Sequence, residues 1–378
     1  MGGDEKFMFI VEWYDPHAQF IRRYQFCFYP IDNTVEMFDV KNHRIFLHRV
    51  KVENVKISDL YIGSTVNVLS RQLTFVDYGD DYTRNRVATR TERTLGLIKP
   101  DVVNKAGEIL DVVFKSGFSV TQLKMCQLSR RDAGEFYQEH QSRDFYGKLV
   151  DFMSSGPVIA LELMCENAVS KWRHTLGPTD SGRARTEAPM SIRAMFGTDN
   201  TRNAGHGSDS AVSAARELEF FFPTKGPGPQ NTACFQESTC ALIKPHAVCA
   251  GYAGRIIQKI SESFSISAMQ MFTVDRANAE EFYEIYKGVV QEYPNMVDEL
   301  TSGPCIAMEI QSRIHGINVP KSFREFCGPA DPEIGRQLRS STLRAQFGKN
   351  KIQNAVHCSD LEEDGLLEVE YFFKILDR

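Results

Sequence analysis

Eight polar residues recur in one order along this 378-residue chain: Lys99, Tyr137, Arg173, Arg193, Asn203, His206, Ser208 and Glu217, then Lys244, Tyr283, Arg324, Arg344, Asn354, His357, Ser359 and Glu368. Three fixed cations and one histidine in each set suit a polyphosphate. Arginine offers a planar fork of donors to phosphoryl oxygens and lysine a point charge, and such charge-assisted hydrogen bonds are roughly twice as strong as neutral ones. The histidine is the natural nucleophile: with an ordinary pKa near 6.5, about three quarters of it is neutral at pH 7. A carboxylate on the other ring nitrogen would fix the tautomer and raise the pKa, while neighbouring cations would lower it. Glu217 and Glu368 each lie 11 residues past their histidine and are the carboxylates that the spacing offers. The chain holds no G-x-x-x-x-G-K-[ST], G-x-G-x-x-G, H-R-D, D-F-G or H-E-x-x-H motif. Side chains, rather than a glycine cradle, must therefore handle any phosphate.

The apolar stretches repeat with the polar ones. Thr94-Leu-Gly-Leu-Ile-Lys99-Pro-Asp returns as Thr239-Cys-Ala-Leu-Ile-Lys244-Pro-His, and Ser155-Gly156-Pro157 returns as Ser302-Gly303-Pro304. Asn203-Ala-Gly-His206-Gly-Ser208-Asp209 returns as Asn354-Ala-Val-His357-Cys-Ser359-Asp360. A period near 145 residues is a duplicated domain, since solenoid units run about 20 to 50 residues. Taken singly, each polar residue has a plainer account as a turn, core or surface residue; its place in two ordered copies favours chemistry. In each copy a short apolar strand precedes a helical pattern, as at Leu95–Ile98 and Gly107–Lys115, and strands and helices then alternate. That pattern predicts an α/β or α+β sandwich.

Domain boundaries follow at 1–91, 92–224, a Pro/Gly-rich linker at 225–237, and 238–378. The leading segment reads as a small all-β module, with strands expected at Phe7–Tyr14, Phe20–Tyr29, Thr65–Leu69 and Leu73–Tyr78 and a turn at Asp15-Pro16-His17.

The two copies resemble the nucleoside diphosphate kinase family, and the ordered K-P, S-G-P and N-A-x-H-x-S-D motifs carry the likeness. The resemblance implies an α+β chain with two ferredoxin-like α/β sandwich domains. It implies that His206 takes the γ-phosphoryl of ATP or GTP and passes it to a nucleoside diphosphate by ping-pong, with Glu217 orienting the ring. Mg2+ is the implied cofactor, carried by the nucleotide phosphates rather than by a protein cage. Lys99, Tyr137, Arg173, Arg193 and Asn203 would contact phosphate or sugar, Ser208 would stand beside the histidine, and Arg143 and Thr179 complete the nucleotide-binding set. Phe145 would stack on the base, a contact that tolerates every base because each has a π-face.

The second copy keeps Lys244, Tyr283, Arg324, Arg344, Asn354, His357 and Glu368, but Val289-Val290-Gln291 replaces Arg143-Asp144-Phe145, Thr179 becomes Ala330 and Gly207 becomes Cys358. Most activity is therefore expected from the first copy. Family kinases assemble as hexamers; two domains in one chain could pack instead as an internal pseudo-dimer, which would permit a monomer.

Phe26–Glu36 and Lys41–Arg49 resemble the DM-ten domain of ciliary axonemal proteins. That likeness implies a pleckstrin-homology-like β fold and association with microtubules, tubulin or γ-tubulin complexes. A second class of function therefore stays open, an axonemal or centrosomal structural protein with residual or no catalysis. The implied locations are the cytoplasm and cytoskeleton, including centrosome, spindle and cilium axoneme.

A net charge of -5 supplies no global basic field, so no nucleic-acid partner is expected. No apolar stretch approaches about 20 residues, and no membrane association is expected. Nine scattered cysteines without a C-x-x-C pair favour reduced cytosolic thiols over a disulfide frame. The leading residues hold no apolar signal core, and Gly2 is not followed by the Ser or Thr that myristoylation wants at position six, which is Lys6.

Overall fold

The computed structural model describes residues 5–52, 55–88 and 91–377; the Gly2 stretch lies outside them. It divides into two compact units, Met1–Thr91 with Thr273–Gly303, and Glu92–Phe272 with Pro304–Arg378.

In the first unit, strands β1 (Phe7–Asp15), β2 (Phe20–Tyr29), β3 (Thr34–Asp39), β4 (Arg44–Lys51), β5 (Thr65–Val68) and β6 (Arg71–Tyr78) form one sheet in the order β4-β3-β2-β1-β6-β5. Side chains alternate across a strand, so Phe7, Phe9 and Val11 of β1 are buried while their neighbours are partly exposed. Phe75 meets Phe9 and Phe26 edge-on at 5.1 and 5.2 Å. The expected turn forms because Asp15 Oδ1 accepts from the His17 and Ala18 amides at 3.1 and 3.2 Å, the local bond that makes aspartate a turn residue. Helix α1 (Asp81–Val87) closes the module, its first turn capped by Asp80, which accepts from the Thr83 amide. The strand patterns anticipated β1, β2, β5 and β6. They did not separate β3, β4 and α1.

The two repeats share one element order, except that a helix in the second, Pro245–Cys249, stands where the first has a 3-10 turn, Pro100–Lys105. The first comprises β7 (Glu92–Ile98), α2 (Ala106–Lys115), β8 (Ser119–Gln127), α3 (Arg130–Phe136), α4 (Tyr146–Met153), β9 (Pro157–Cys165), α5 (Ala168–Leu176), α6 (Ser181–Glu187), α7 (Ile192–Phe196), β10 (Gly205–Gly207) and α8 (Ala211–Phe221). The second begins with β11 (Ser238–Ile243), α9 (Pro245–Cys249), α10 (Ala253–Ser263), β12 (Phe264–Phe272), α11 (Arg276–Phe282) and α12 (Tyr293–Leu300). It continues with β13 (Cys305–Ser312), α13 (Val319–Cys327), α14 (Pro332–Leu338), α15 (Leu343–Phe347), β14 (Val356–Cys358) and α16 (Asp364–Glu370).

One part of the second repeat departs from the expected domain plan. Helices α11 and α12 belong to the same compact unit as the β module. The Gln72 amide donates to the Val274 carbonyl at 2.8 Å and the Asn67 amide to Thr301 Oγ1 at 3.2 Å, bonds between residues more than 200 positions apart that no local pattern announces.

In the other unit the repeats share one eight-stranded sheet, β10-β7-β9-β8-β12-β13-β11-β14. The order is a palindrome in repeat-equivalent strands, so the two halves are related as the subunits of an isologous dimer are. At its centre Gln270 of β12 pairs with Lys124 of β8, and these are equivalent positions of the two copies. Asp377 locks the joint, accepting from Lys124 Nζ at 2.9 Å, Gln270 Nε2 at 2.7 Å and Asn231 of the linker at 2.7 Å. Across it α2 lies on α10, where Gly107 faces the other helix and Gly254, its repeat equivalent, does the same. A methyl group on Gly107 would stand 2.3 Å from the Gln258 backbone nitrogen, and one on Gly254 would stand 2.4 Å from that of Asp111. The apolar core runs through both copies, from Ile109, Leu110 and Val113 to Ile256, Ile257 and Ile260.

Either glycine replaced by leucine forces the helices apart at backbone level, where no side chain can rotate away. Gly107→Leu and Gly254→Leu are each expected to lower unfolding free energy by about 3 kcal/mol or more in a denaturant melt. An unchanged midpoint would show that the helices can separate freely.

Candidate active site

The first-repeat histidine stands on a short strand entered through a strained turn. Ala204 adopts a φ of 67°, a left-handed conformation that side chains with a Cβ resist. Three bonds hold it there. Its carbonyl accepts from the Lys99 amide at 2.9 Å, its own amide donates to Asp101 Oδ2 at 3.1 Å, and the next amide, of Gly205, donates to the Asn203 carbonyl at 2.8 Å. The chain then runs beside β7, with His206 opposite Leu97, and the Trp172 indole donates to the His206 carbonyl at 3.0 Å.

Glu217 lies on α8, capped at its start by Ser210, and its carboxylate is buried. Its Oε2 accepts from His206 Nε2 at 2.9 Å and from the Ser208 hydroxyl at 2.6 Å. A carboxylate accepts only, so the bond assigns the ring proton to Nε2 and leaves the lone pair on Nδ1. Ser208 thus acts on the glutamate rather than on the ring it was expected to accompany.

The cations gather on the same side of the repeat. Lys99 Nζ donates to Asn203 Oδ1 at 2.7 Å and to the Thr201 carbonyl at 3.2 Å; burial, with Arg193 adding to it, pushes its pKa down to about 8. Arg193 donates to the Gly177 and Gly205 carbonyls at 2.8 and 3.0 Å, and its buried Nε has no partner. Burial, with Arg173 adding to it, pushes Arg193 down to about 10. A buried lysine and a half-buried arginine held below their ordinary values mark a place where an anion would be stabilised. Arg173 Nη1 donates to the Asp209 carbonyl at 3.3 Å.

Rings continue outward from the histidine. Tyr137 meets His206 edge-on at 5.8 Å and stacks on His140 at 6.2 Å, and His140 lies 5.7 Å from Phe145, which is 49% exposed. The Tyr137 hydroxyl is buried without a partner. Arg143 is exposed in the same turn, its amide donating to the His140 carbonyl. Thr179 is exposed, and its carbonyl takes the Asn203 amide group at 3.0 Å. The structure therefore brings Lys99, Tyr137, Arg193, Asn203, Ser208 and Glu217 around His206, and leaves Arg143, Phe145 and Thr179 on the rim.

The second repeat rebuilds the centre with substitutions. His357 Nε2 bonds Glu368 Oε2 at 2.9 Å, and Ser359 donates to the same oxygen at 2.7 Å. Ala355 has a φ of 71°, but its amide is held by His246 Nε2 at 3.2 Å where the first repeat uses Asp101. Lys244 Nζ donates to the Ile352 carbonyl at 2.9 Å, Asn354 to the Ala330 carbonyl at 3.1 Å and Arg324 to the Asp360 carbonyl at 2.9 Å. Arg344 is buried, donating to Val356 and Gly328 carbonyls at 3.1 and 2.9 Å. Tyr283 packs on Phe282 and Tyr286 at 5.0 and 5.8 Å, in the segment that belongs with the β module. The His206 side chain is 19% exposed and that of His357 6%. Asp101, His246 and Trp172 were missed from sequence; Asp101 and His246 follow their lysines by two places, and that spacing was the available signal.

Residues 92–226 and 237–377 both match the family described as nucleoside diphosphate kinase. The chain belongs to the nucleoside diphosphate kinase family. Residues 1–89 match the nucleoside diphosphate kinase 7 N-terminal PH domain, which carries the pleckstrin-homology-like expectation and replaces the DM-ten description. The nucleoside diphosphate kinase homolog 7 of Rattus norvegicus and that of Mus musculus are each 59% identical to the chain over 376 residues, covering 99% of it and 94% of the relative. A nucleoside diphosphate kinase of Aquifex aeolicus is 50% identical over 133 residues, covering 35% of this chain and 94% of its own. Nucleotide binding and phosphotransfer are thus the properties of the family to which both repeats belong.

In the second of these kinase repeats, burial opposes charge on His357 but Glu368 outweighs it, and the pKa stands above the ordinary imidazole value. A raised folded pKa means that the His357–Glu368 pair contributes its full stability below about pH 6.5. That contribution is lost as pH rises through the folded value. Thermal melts across this window should show wild type losing stability relative to Glu368→Gln as pH increases. A difference that is constant with pH would contradict the assignment.

Proposed function

We propose that the first repeat transfers the γ-phosphoryl group of ATP or GTP to a nucleoside diphosphate through a phosphohistidine on His206. The supporting observation is the 2.9 Å bond from His206 Nε2 to buried Glu217, which leaves Nδ1 as the nucleophilic atom. Nδ1 attacks the γ-phosphorus, the bond to the bridging oxygen breaks, and the diphosphate leaves; a second diphosphate reverses the step. As the ring acquires charge, Glu217 stabilises the Nε2 proton without taking it. Buried Lys99 and half-buried Arg193 neutralise charge on the transferring group, which is the main task in phosphoryl transfer. The Tyr137 hydroxyl supplies a donor for phosphate or sugar, and exposed Phe145 a face for the base.

Among the described residues no three His, Cys, Asp or Glu side chains form a metal cage. Mg2+, the family's usual cofactor, would be carried on the nucleotide, where it would offset the charge of the phosphates. The first repeat is proposed to carry most activity, because His206 is the more exposed histidine and the second copy lacks the Arg143-Asp144-Phe145 segment.

Labelling with γ-labelled ATP should place acid-labile phosphate on His206. His206→Ala is expected to remove most of it, and His357→Ala to remove little. A His206→Ala chain with full phosphotransfer would overturn the ranking. Glu217→Gln keeps the shape but weakens tautomer control, and should slow phosphorylation roughly 10- to 100-fold with KM nearly unchanged. An equal loss expressed entirely in KM would assign Glu217 to substrate binding.

A second reading concerns the β module, which displays Phe20 at 44%, Ile21 at 58% and Tyr14 at 58% exposure near Arg22 and Arg23. We propose that this exposed end of the β1–β2 hairpin addresses the chain to microtubules or a γ-tubulin complex, at the centrosome or axoneme. Co-sedimentation with microtubules should persist in the His206→Ala, His357→Ala double variant and fall in a Phe20→Ser, Ile21→Ser variant. Binding that follows the histidines instead would refute it.

A further inference from the structure

Three positions behind the histidine strand change together between the repeats. In the first, a methyl group added to Gly207 would meet Trp172 Cδ1 at 2.5 Å and Leu176 Cδ1 at 3.0 Å. The equivalents are Cys358, Phe323 and Cys327. Tryptophan to phenylalanine and leucine to cysteine both remove bulk, and the side chain of Cys358 occupies the space. Cys358 and Cys327 are 1% and 0% exposed and lie in one apolar cluster. By repeat equivalence Cys327 and Cys358 take the contact that Leu176 makes with position 207, and Arg344 Nη2 approaches the Cys358 sulfur at 3.5 Å. Arg193, the first-repeat equivalent of Arg344, has no thiol to meet.

A buried sulfur beside a guanidinium and a second thiol is biased towards thiolate, the reactive form. The neighbouring Cys327 thiol and then Arg344 hold Cys358 well below the ordinary thiol value, at about 6. Burial moves Cys27, Cys126, Cys165, Cys234, Cys240 and Cys305 the other way. Cys358 is therefore chemically distinct from its fellows, and its neighbour is placed to resolve it.

We propose that Cys327 and Cys358 form a redox-active dithiol, a modification site of the second repeat that peroxide-class oxidants close to a disulfide. The Cys358 sulfur attacks one peroxide oxygen and the O–O bond breaks. The far oxygen leaves as water with a proton, and Cys358 becomes a sulfenic acid. The Cys327 sulfur then attacks Cys358, the S–S bond forms, the S–O bond breaks, and a second water leaves with the Cys327 proton. Two thiols give up two electrons and two protons, and one peroxide receives them. Both sulfurs are buried, so the reaction proceeds through local opening. The disulfide takes the thiolate from Arg344 and fastens β14, one residue from His357, to the end of α13. An effect on phosphorylation of His357 rests on the phosphotransfer proposal; formation of the bond does not.

The full chain, kept native, is treated with hydrogen peroxide, quenched with catalase, denatured, alkylated with iodoacetamide, digested without reductant and mapped by mass spectrometry. The expected result is a cross-linked peptide pair joining Cys327 to Cys358, two fewer alkylated thiols, and recovery of both after dithiothreitol. Cys327→Ser should halt Cys358 at a sulfenic acid that dimedone traps. Oxidation of exposed Cys234 or Cys249 with both Cys327 and Cys358 still alkylated would overturn the proposal, as would separate sulfinic acids without a cross-link. The wild-type map decides the matter even where a variant fails to fold. A disulfide in a chain that never forms phosphohistidine would sink the phosphotransfer reading and leave this one standing.

Discussion

The close approach of two helices at Gly107 and Gly254 sets the geometry of the kinase unit. Because each glycine faces the other helix at backbone distance, α2 and α10 can lie close enough for β8 and β12 to meet edge to edge. Without that approach the sheet would end twice, at two exposed strands, a liability that proteins generally cover or pair. With it, eight strands run continuously and one core serves both repeats. Asp377 and Asn231 then bind polar groups from the two copies and the linker at the same joint, so the covalent connection and the symmetric contact reinforce each other.

The same scaffold supports two histidine sites that differ in their surroundings. Both keep an imidazole on a buried glutamate and both enter the histidine strand through a left-handed alanine. Such strain persists only where neighbours over-determine it. The neighbours differ: a carboxylate of Asp101 on one side, an imidazole of His246 on the other. The second site is also more enclosed, and its arginine is drawn onto a sulfur. Duplication has therefore preserved the histidine and its buried glutamate while the supports around them have diverged.

Much of this was legible in the residues. The repeated order of lysine, arginines, asparagine, histidine and glutamate located the centre, because spacing along strands and helices is fixed by local geometry. The Glu217–His206 pair was readable for the same reason, being 11 residues apart across a single strand and helix. Other features were not. The partnership of Ser208 with Glu217 instead of His206 depends on which way a hydroxyl points. The anchoring of Ala204 by Asp101 spans 103 residues, and the attachment of residues 273–303 to the β module spans more than 200. Strand β4 shows no alternation, its side chains being exposed or partly buried throughout, while β3 alternates in burial but turns Phe38 outward and buries Asp39, so its apolar residues do not follow the period on which a strand is recognised.

The palindromic sheet also has a consequence in time. Ribosomes add roughly 5 to 20 residues each second, and the strand that covers β8 is β12, encoded about 145 residues later. Because β12 follows the end of the first repeat by about 40 to 50 residues, for roughly 2 to 10 seconds the first kinase repeat is complete in sequence yet carries a bare β8 edge and an uncovered glycine face on α2. A nascent chain in that interval is chemically one half of a dimer. Two such chains on neighbouring ribosomes could each complete the other, so synthesis rate and polysome spacing bear on whether this fold closes within one molecule or between two.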